Sequence, residues 1–363
     1  MKYFFYIVTV SFILFSCDSS KSGKKDESLM SMAKGKSGEV ILVMDSAKWA
    51  GELGDEVRAV FMASVEGLPR PEPLFTIRYI DPRKLNSVLK GVKSMIFVTT
   101  FDSHTRGSKI INNYFTKGSR EKIKQNEKIF LVTDQNVFAR GQEVMYLFGN
   151  NKEILIGHLK NNKQKLRDHF NSIEAKRTSK KLYKGKRVKG IEEVLIKEHN
   201  CFLKVPYGYK LVQNEKGFIW LRRIDTDTDR DVFIGYADYA DESVFENENV
   251  IKLRQQITKK YLFDDPEKPE TYLTIQKEAP LLQREVNFYN KYSIETKGLW
   301  KTNNNSMGGP FKSYTFVDEK LNRVYYIEGF VYSPGKSQRE IMREMDVILE
   351  TFRTQSELNR EQK

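Results

Sequence analysis

Cysteine and histidine are scarce in this 363-residue chain: Cys17 and Cys201 are its two cysteines, and His104, His158, His169 and His199 its four histidines. A metal site is hard to assemble from so few. His158 and His169 fall on one predicted helix, where a ~1.5 Å rise and ~100° per residue give them a shared face but hold them ~16 Å apart, too far for a common ion. His199 and Cys201 point to the same side of an extended chain, ~7 Å apart, with no second pair of ligands beside them. Neither a metal nor a cofactor is expected. The motifs of covalent and phosphate chemistry are missing too. No Gly-x-Ser-x-Gly elbow occurs. Gly51-x-x-Gly54 lacks the Lys-Ser/Thr end of a phosphate loop and runs into Asp55 and Glu56, which repel an anion. Asp102-Ser103-His104 reads as a polar loop, because neighbours in sequence rarely form the hydrogen-bonded relay of a triad. Paired carboxylates stay open, since any two of many acids could converge. No catalytic residue is assigned, and the expectation leans away from an enzyme.

Long apolar runs are also lacking. The longest near the start, Tyr3 to Phe15, holds about thirteen residues where a ~30 Å hydrocarbon core needs ~20. With Lys2 before it, the run has the length of a signal-peptide core. It ends in Leu14-Phe15-Ser16-Cys17, which resembles a bacterial lipobox, so residues 1–17 are expected to be a lipoprotein signal and Cys17 the acylated, palmitate-bearing residue. Residues 18–38, rich in Ser, Lys, Gly and Asp, are expected to form a disordered tether. The expected place is the cell envelope, anchored to the outer or the inner membrane and facing the periplasm or the surface. With Cys17 acylated, Cys201 has no disulfide partner, and it reads as a small buried hydrophobe.

The net charge is +13. Its densest block, Lys176 to Lys189, contains no acid and reads as a solvated helix end with an interdomain linker. Export argues against nucleic acid as the partner, leaving the membrane through Cys17 and an envelope protein or glycan.

About 325 residues after the tether suit two domains. Glu39 to Met44 reads as the first strand, capped into a helix by Asp45 or Ser46, with Trp49, Leu53, Val57, Val60 and Phe61 on one face. The proline-rich loop Gly67 to Pro73 stops that helix and leads to a strand at Leu74 to Ile80. Strands at Ser94 to Thr99, Lys128 to Thr133 and Glu143 to Phe148 follow, then one helix from Asn151 to Ile173, giving a sheet with helices on one face. In the second half, strands, a helix at Asn249 to Tyr261, a hairpin through Asp318 to Asn322 and a final helix at Ser337 to Phe352 repeat that plan. The fold class is α+β, with two antiparallel or mixed sheets each covered by helices: residues 39–175 form an N-terminal domain, 176–198 a basic linker, 199–354 a C-terminal domain and 355–363 a polar tail.

Several separated segments carry a resemblance. Trp49-Ala50-Gly51-Glu52-Leu53-Gly54-Asp55, the loop Gly67 to Phe75, Met307-Gly308-Gly309-Pro310-Phe311, and Glu328-Gly329-Phe330-Val331-Tyr332-Ser333-Pro334 with Arg339-Glu340 resemble lipoproteins of Bacteroidota grouped as domain-of-unknown-function family 4837. The resemblance spans the mature chain and implies an envelope lipoprotein; it brings no catalytic residues. The second half also resembles the Mog1/PsbP sandwich through its Val205-Pro206-Tyr207-Gly208-Tyr209 opening, an analogy of fold that does not fix function.

The strand Arg323 to Tyr332 presents two faces. Tyr325, Ile327, Gly329 and Val331 suit the underside of a helix, while Val324, Tyr326, Glu328, Phe330 and Tyr332 mix aromatics with one carboxylate. An open second face could stack on sugar rings or hold a peptide; a central strand would bury both. Trp49, Trp300, Met307, Gly308, Gly309, Tyr326, Glu328, Phe330 and Tyr332 are the candidate binding surface. The expected function is a lipid-anchored, non-catalytic binding or accessory factor in envelope assembly or maintenance, the alternative a hydrolase using convergent carboxylates on an envelope polymer.

Overall fold

The computed structural model describes residues 27–265 and 268–361. Cys17, the lipobox and residues 18–26 of the expected tether lie outside the described residues. The chain divides into two compact units: residues through Ala63 together with Pro73–Phe170, and Ser64–Glu72 together with the chain from Asn171 onward.

In the first unit, β1 (Glu39–Met44) leads to α1 (Ser46–Trp49) and α2 (Glu52–Phe61), then β2 (Thr76–Ile80), α3 (Ser87–Lys90), β3 (Ser94–Thr100), α4 (Arg106–Asn112), α5 (Lys117–Gln125), β4 (Leu131–Gln135), β5 (Glu143–Gly149), α6 (Lys152–Asn161) and the start of α7 (Lys163–Leu182). The sheet order is β2-β1-β3-β5-β4, with β1, β2, β3 and β5 parallel and β4 antiparallel at the edge. Parallel strands covered on both faces need apolar side chains at every position. Val40 to Met44 and Met95 to Val98 are accordingly all buried. Val40, Leu42 and Met44 pack with α2, α6 and α7, whereas Ile41 and Val43 pack with Ile111 of α4 and Ile123 of α5. The expected one-sided helical cover is therefore corrected to a two-sided one. Helices α4 and α5 were hidden by their polarity, and each starts on a threonine cap, Thr105 and Thr116. The expected single helix from Asn151 is two, separated at Asn162.

Two expected loose segments are ordered. Residues 31–34 pair with the backbone of the same unit, Arg140 N–H bonding to Ser31 O and Ala33 N–H to Arg140 O, both at 2.9 Å, so the described part of the tether is laid along the fold. The expected basic linker is the end of α7 followed by α8 (Lys189–His199), whose apolar Ile191 and Leu195 are buried in the hydrophobic core of the second unit.

The second unit continues with β6 (Cys201–Phe202), β7 (Lys210–Glu215), β8 (Phe218–Asp225), β9 (Thr228–Asp238), α9 (Asn247–Tyr261), β10 (Phe263–Asp265), β11 (Lys268–Ile275), β12 (Leu282–Phe288), β13 (Lys291–Thr302), β14 (Gly308–Asp318), β15 (Arg323–Tyr332), α10 (Arg339–Leu349), β16 (Arg353–Thr354) and α11 (Gln355–Glu361). Its antiparallel sheet runs β10-β11-β13-β14-β15-β9-β8-β7, with β12 also on β13. Tyr325, Ile327 and Val331 share one core with Met345, Ile348 and Leu349 of α10; Tyr326 and Phe330 share the other with Val250 of α9. A Cβ on Gly329 would stand 3.0 Å from Met345 Cβ, so α10 rides directly on β15. The expected polar tail is largely α11, fastened by Ser356 Oγ donating to Asp318 Oδ2 at 2.6 Å. Both units combine helices with sheets, as the α+β reading expects.

The loop 64–72 serves the second unit. Glu72 accepts from the backbone N–H of Gln338 at 2.7 Å and of Arg339 at 3.1 Å, capping α10, and Arg70 donates to Lys336 O at 2.7 Å.

Candidate functional site

The residues singled out along β15 do not form a surface. Tyr326, Glu328 and Phe330 are buried beneath α9. Arg254 of α9 forks onto Glu328 with two bonds of 2.7 Å, and the Tyr326 hydroxyl donates to the same carboxylate at 2.6 Å. The guanidinium lies over the Phe311 ring, 4.2 Å from its centroid. A charge this deep is tolerated only when paired and hydrogen-bonded. The strand is thus central, covered on both faces.

The neighbouring candidates are also structural. Trp300 is buried, its ring donating to Val331 O at 3.2 Å. Gly309 pairs with Trp300, and a Cβ there would fall 2.0 Å from Val331 O, so the glycine serves close packing. Gly308 is in register with Lys301, while Met307 and Tyr332 border the α9 core, half-buried. Trp49, in the first unit, stacks on Tyr79 with centroids 4.9 Å apart and carries the Arg58 guanidinium at 4.3 Å.

Three of the four histidines sit in structural contacts, and His104 is exposed. His158 stacks on Phe130, His169 meets Glu143 at 2.8 Å, and His199 is buried between Asn214 and the Tyr236 hydroxyl. Since His158 and His169 sit on α6 and α7, the expected shared helix is corrected. Cys201 is fully buried, which pushes its thiol up, away from nucleophile behaviour. Among the described residues, no three His, Cys, Asp or Glu side chains gather as ligands for one ion. At the carboxyl ends of β1 and β3, Lys48 reaches Thr100, and Asp45 accepts from the Thr105 hydroxyl at 2.9 Å. Burial lowers the Lys48 pKa against the pull of Asp102 and Asp45.

The feature that sequence reasoning missed is a cleft of about 790 Å³ at one end of the second unit's sheet. Its walls come from the end of β9, the short turn Glu242–Phe245, the β12–β13 and β14–β15 turns, β16 and α11. Phe245 stands edge-on to Tyr292 at 5.0 Å, and Tyr289 stands edge-on to Phe288 at 5.2 Å. Tyr289 and Tyr292 remain 43% and 50% exposed. Tyr289 (φ 51°) and Asn290 (φ 64°) form a two-residue turn in the left-handed region, which normally takes Asn, Asp or Gly. A turn signal of Tyr-Asn is weak, so the sequence did not flag it.

The charges in the cleft are mostly matched. Lys291 pairs with Glu357. Burial works to raise the Asp318 carboxyl, but hydrogen bonds from Ser356, Thr354 and the N–H groups of Leu321 and Lys320 hold it below the usual range. Arg353 donates to the carbonyls of Glu350 and Phe352 at 3.0 and 2.7 Å. The carboxyl pushed up to about 7 by burial, Asp231, lies elsewhere, under Trp220 and Arg222, and is buried.

Two family models match the chain. Residues 189–351 match the family described as "Domain of unknown function (DUF4837)", and residues 33–183 match "Domain of unknown function (DUF8532)". Of the segments that carry the family resemblance, those at 307–311, 328–334 and 339–340 fall inside the first match, while 49–55 and 67–75 fall outside it. The DUF4837 resemblance is thereby located in the second half. No curated protein sequence matches the chain. Among solved structures, a mutant of the protein Mog1 and the Saccharomyces cerevisiae Ran-binding protein Mog1p are similar, each with a TM-score of 0.28 and 8% identity over 43% of this chain and 90% of theirs.

Proposed function

We propose that this chain, whose residues 189–351 carry the domain of unknown function DUF4837, is a lipid-anchored cell-envelope protein that works by binding, as an accessory factor in envelope assembly or maintenance. The observation that carries the reading is the cleft of the second unit. Two tyrosine rings stand half-exposed over a concavity in which Lys291 and Glu357 neutralise each other and Asp318 is occupied by hydrogen bonds. Concave sites lined by aromatics with a few convergent polar groups are the common form of a binding pocket. The hydrolase alternative needs two accessible carboxyls with separated pKa values. The Asp318 carboxyl is held low, and of the two acids that burial raises, Asp231 is buried and Glu350 is not among the residues lining the cleft.

The sequence Leu14-Phe15-Ser16-Cys17 supports tethering through acylated Cys17, with the folded units facing the periplasm or the surface and an envelope protein or glycan as partner. No nucleic acid enters this reading. Cell fractionation tests it: the wild-type chain is expected in the membrane pellet, resistant to salt and released by detergent, and Cys17→Ala in the soluble fraction. A Cys17→Ala chain that still sediments with membranes contradicts the anchoring.

A further inference from the structure

The geometry points to a neutral saccharide as the ligand of the second unit's cleft, an inference that rests on the binding reading above. The first reason is the rings. Tyr292 is braced edge-on by Phe245 and Tyr289 by Phe288 and Arg353, so both are fixed in orientation while about half their surface faces solvent. Pre-fixed aromatic plates suit the flat C–H face of a pyranose, since little side-chain freedom remains to be lost on binding. The second is the polar complement. Asn290, Glu242, Glu319 and Lys320 line the same cleft and offer both donors and acceptors, the complement that hydroxyl groups need.

The charge balance narrows the class. Glu242, Asp318, Glu319 and Glu357 face Lys291, Lys320 and Arg353, four acids against three bases. With Lys291 committed to Glu357 and Asp318 to Ser356, no block of one sign is left to select a charged ligand. An uncharged, hydroxyl-rich molecule with one apolar face fits both the rings and the balance.

The backbone of Tyr289 is the third and independent reason. A bulky residue at φ 51° is disfavoured in a position that asparagine or glycine fills without strain. Strain of this kind is retained where the side chain has work to do, and here the side chain stands at the cleft wall.

Full-length protein in a detergent without a sugar headgroup, applied to an array of neutral gluco-, manno-, xylo- and chito-oligosaccharides and in parallel to a peptide array, tests the inference. Retention on at least one neutral glycan is expected, weakened by about tenfold or more in Tyr292→Ala and in Tyr289→Asn, and kept in Tyr207→Ala, a 73% exposed tyrosine outside the cleft. Thermal melts of the variants separate loss of contact from loss of fold, and Tyr289→Asn suits the turn better than the native residue. Glycan retention that survives both cleft substitutions overturns the inference. Retention on peptides alone, lost in the same variants, overturns the saccharide and leaves the cleft as a binding site. No retention on either array overturns both.

Discussion

The Arg353 guanidinium lies 3.6 Å from the centroid of the Tyr289 ring. Arg353 is anchored by backbone carbonyls of its own segment, and Tyr289 occupies a left-handed turn position. The contact, worth ~0.5–1 kcal/mol, offsets a backbone cost of about 1 kcal/mol.

Because these terms nearly cancel, Tyr289→Asn is expected to leave stability within about 1 kcal/mol of wild type while weakening ligand retention. Urea unfolding measures the first and ligand binding the second. A loss of several kcal/mol would make Tyr289 a structural residue.

Glu328→Gln should destabilise the protein by about 3–5 kcal/mol, because Arg254 is left charged and buried without its carboxylate. Adding Arg254→Met to that variant removes the orphan charge, while the amide introduced at position 328 can still accept from Tyr326. The double variant is therefore expected to recover much of the loss in urea melts. Additive losses would show that the two side chains act separately.

Glu72 links the proline-rich loop to the start of α10. Burial works to raise its carboxyl, but bonds from Ser337 and from the N–H groups of Gln338 and Arg339 bring it below the usual value. A depressed folded pKa gives stability above the unfolded carboxyl value that is lost as pH falls through the folded one. Glu72→Ala should cost about 1 kcal/mol at pH 7, with the gap to wild type closing towards pH 3. A gap independent of pH contradicts the cap.

Asp231 has the opposite sign. Burial raises its folded pKa to about 7, above the unfolded value, with Arg222 and Trp220 offsetting part of the effect. Its protonated form is favoured at low pH, and stability is lost as pH rises through 7. Asp231→Asn should therefore match wild type near pH 4 and exceed it at pH 8, by an amount read from denaturation midpoints at the two pH values.

Much of the fold was legible because it rests on local signals. Glu39 to Met44, the β14–β15 hairpin and α10 with Met345, Ile348 and Leu349 are short-range patterns. Helices α4, α5 and α8 carry polar or basic sequence, and burial of a few residues in the tertiary fold decides them. The alternation of β15 was visible, but the covering of its second face depended on α9, roughly 70 residues away in the chain, docking Arg254 on Glu328. The cleft was illegible for the same reason: Tyr239, Tyr292, Arg353 and Ser356 come from distant segments, and neither their spacing nor the Tyr289-Asn290 turn carries a motif.

Binding by the second unit is expected to run through its cleft. Photo-crosslinking in intact cells, with a benzophenone side chain placed at Tyr292 and, as a control, at Val212, a 47% exposed residue of β7 outside the cleft lining, tests it most directly. A reproducible, near-stoichiometric adduct is expected from position 292 and background alone from position 212. Equal labelling from both positions, or none from 292, would contradict it.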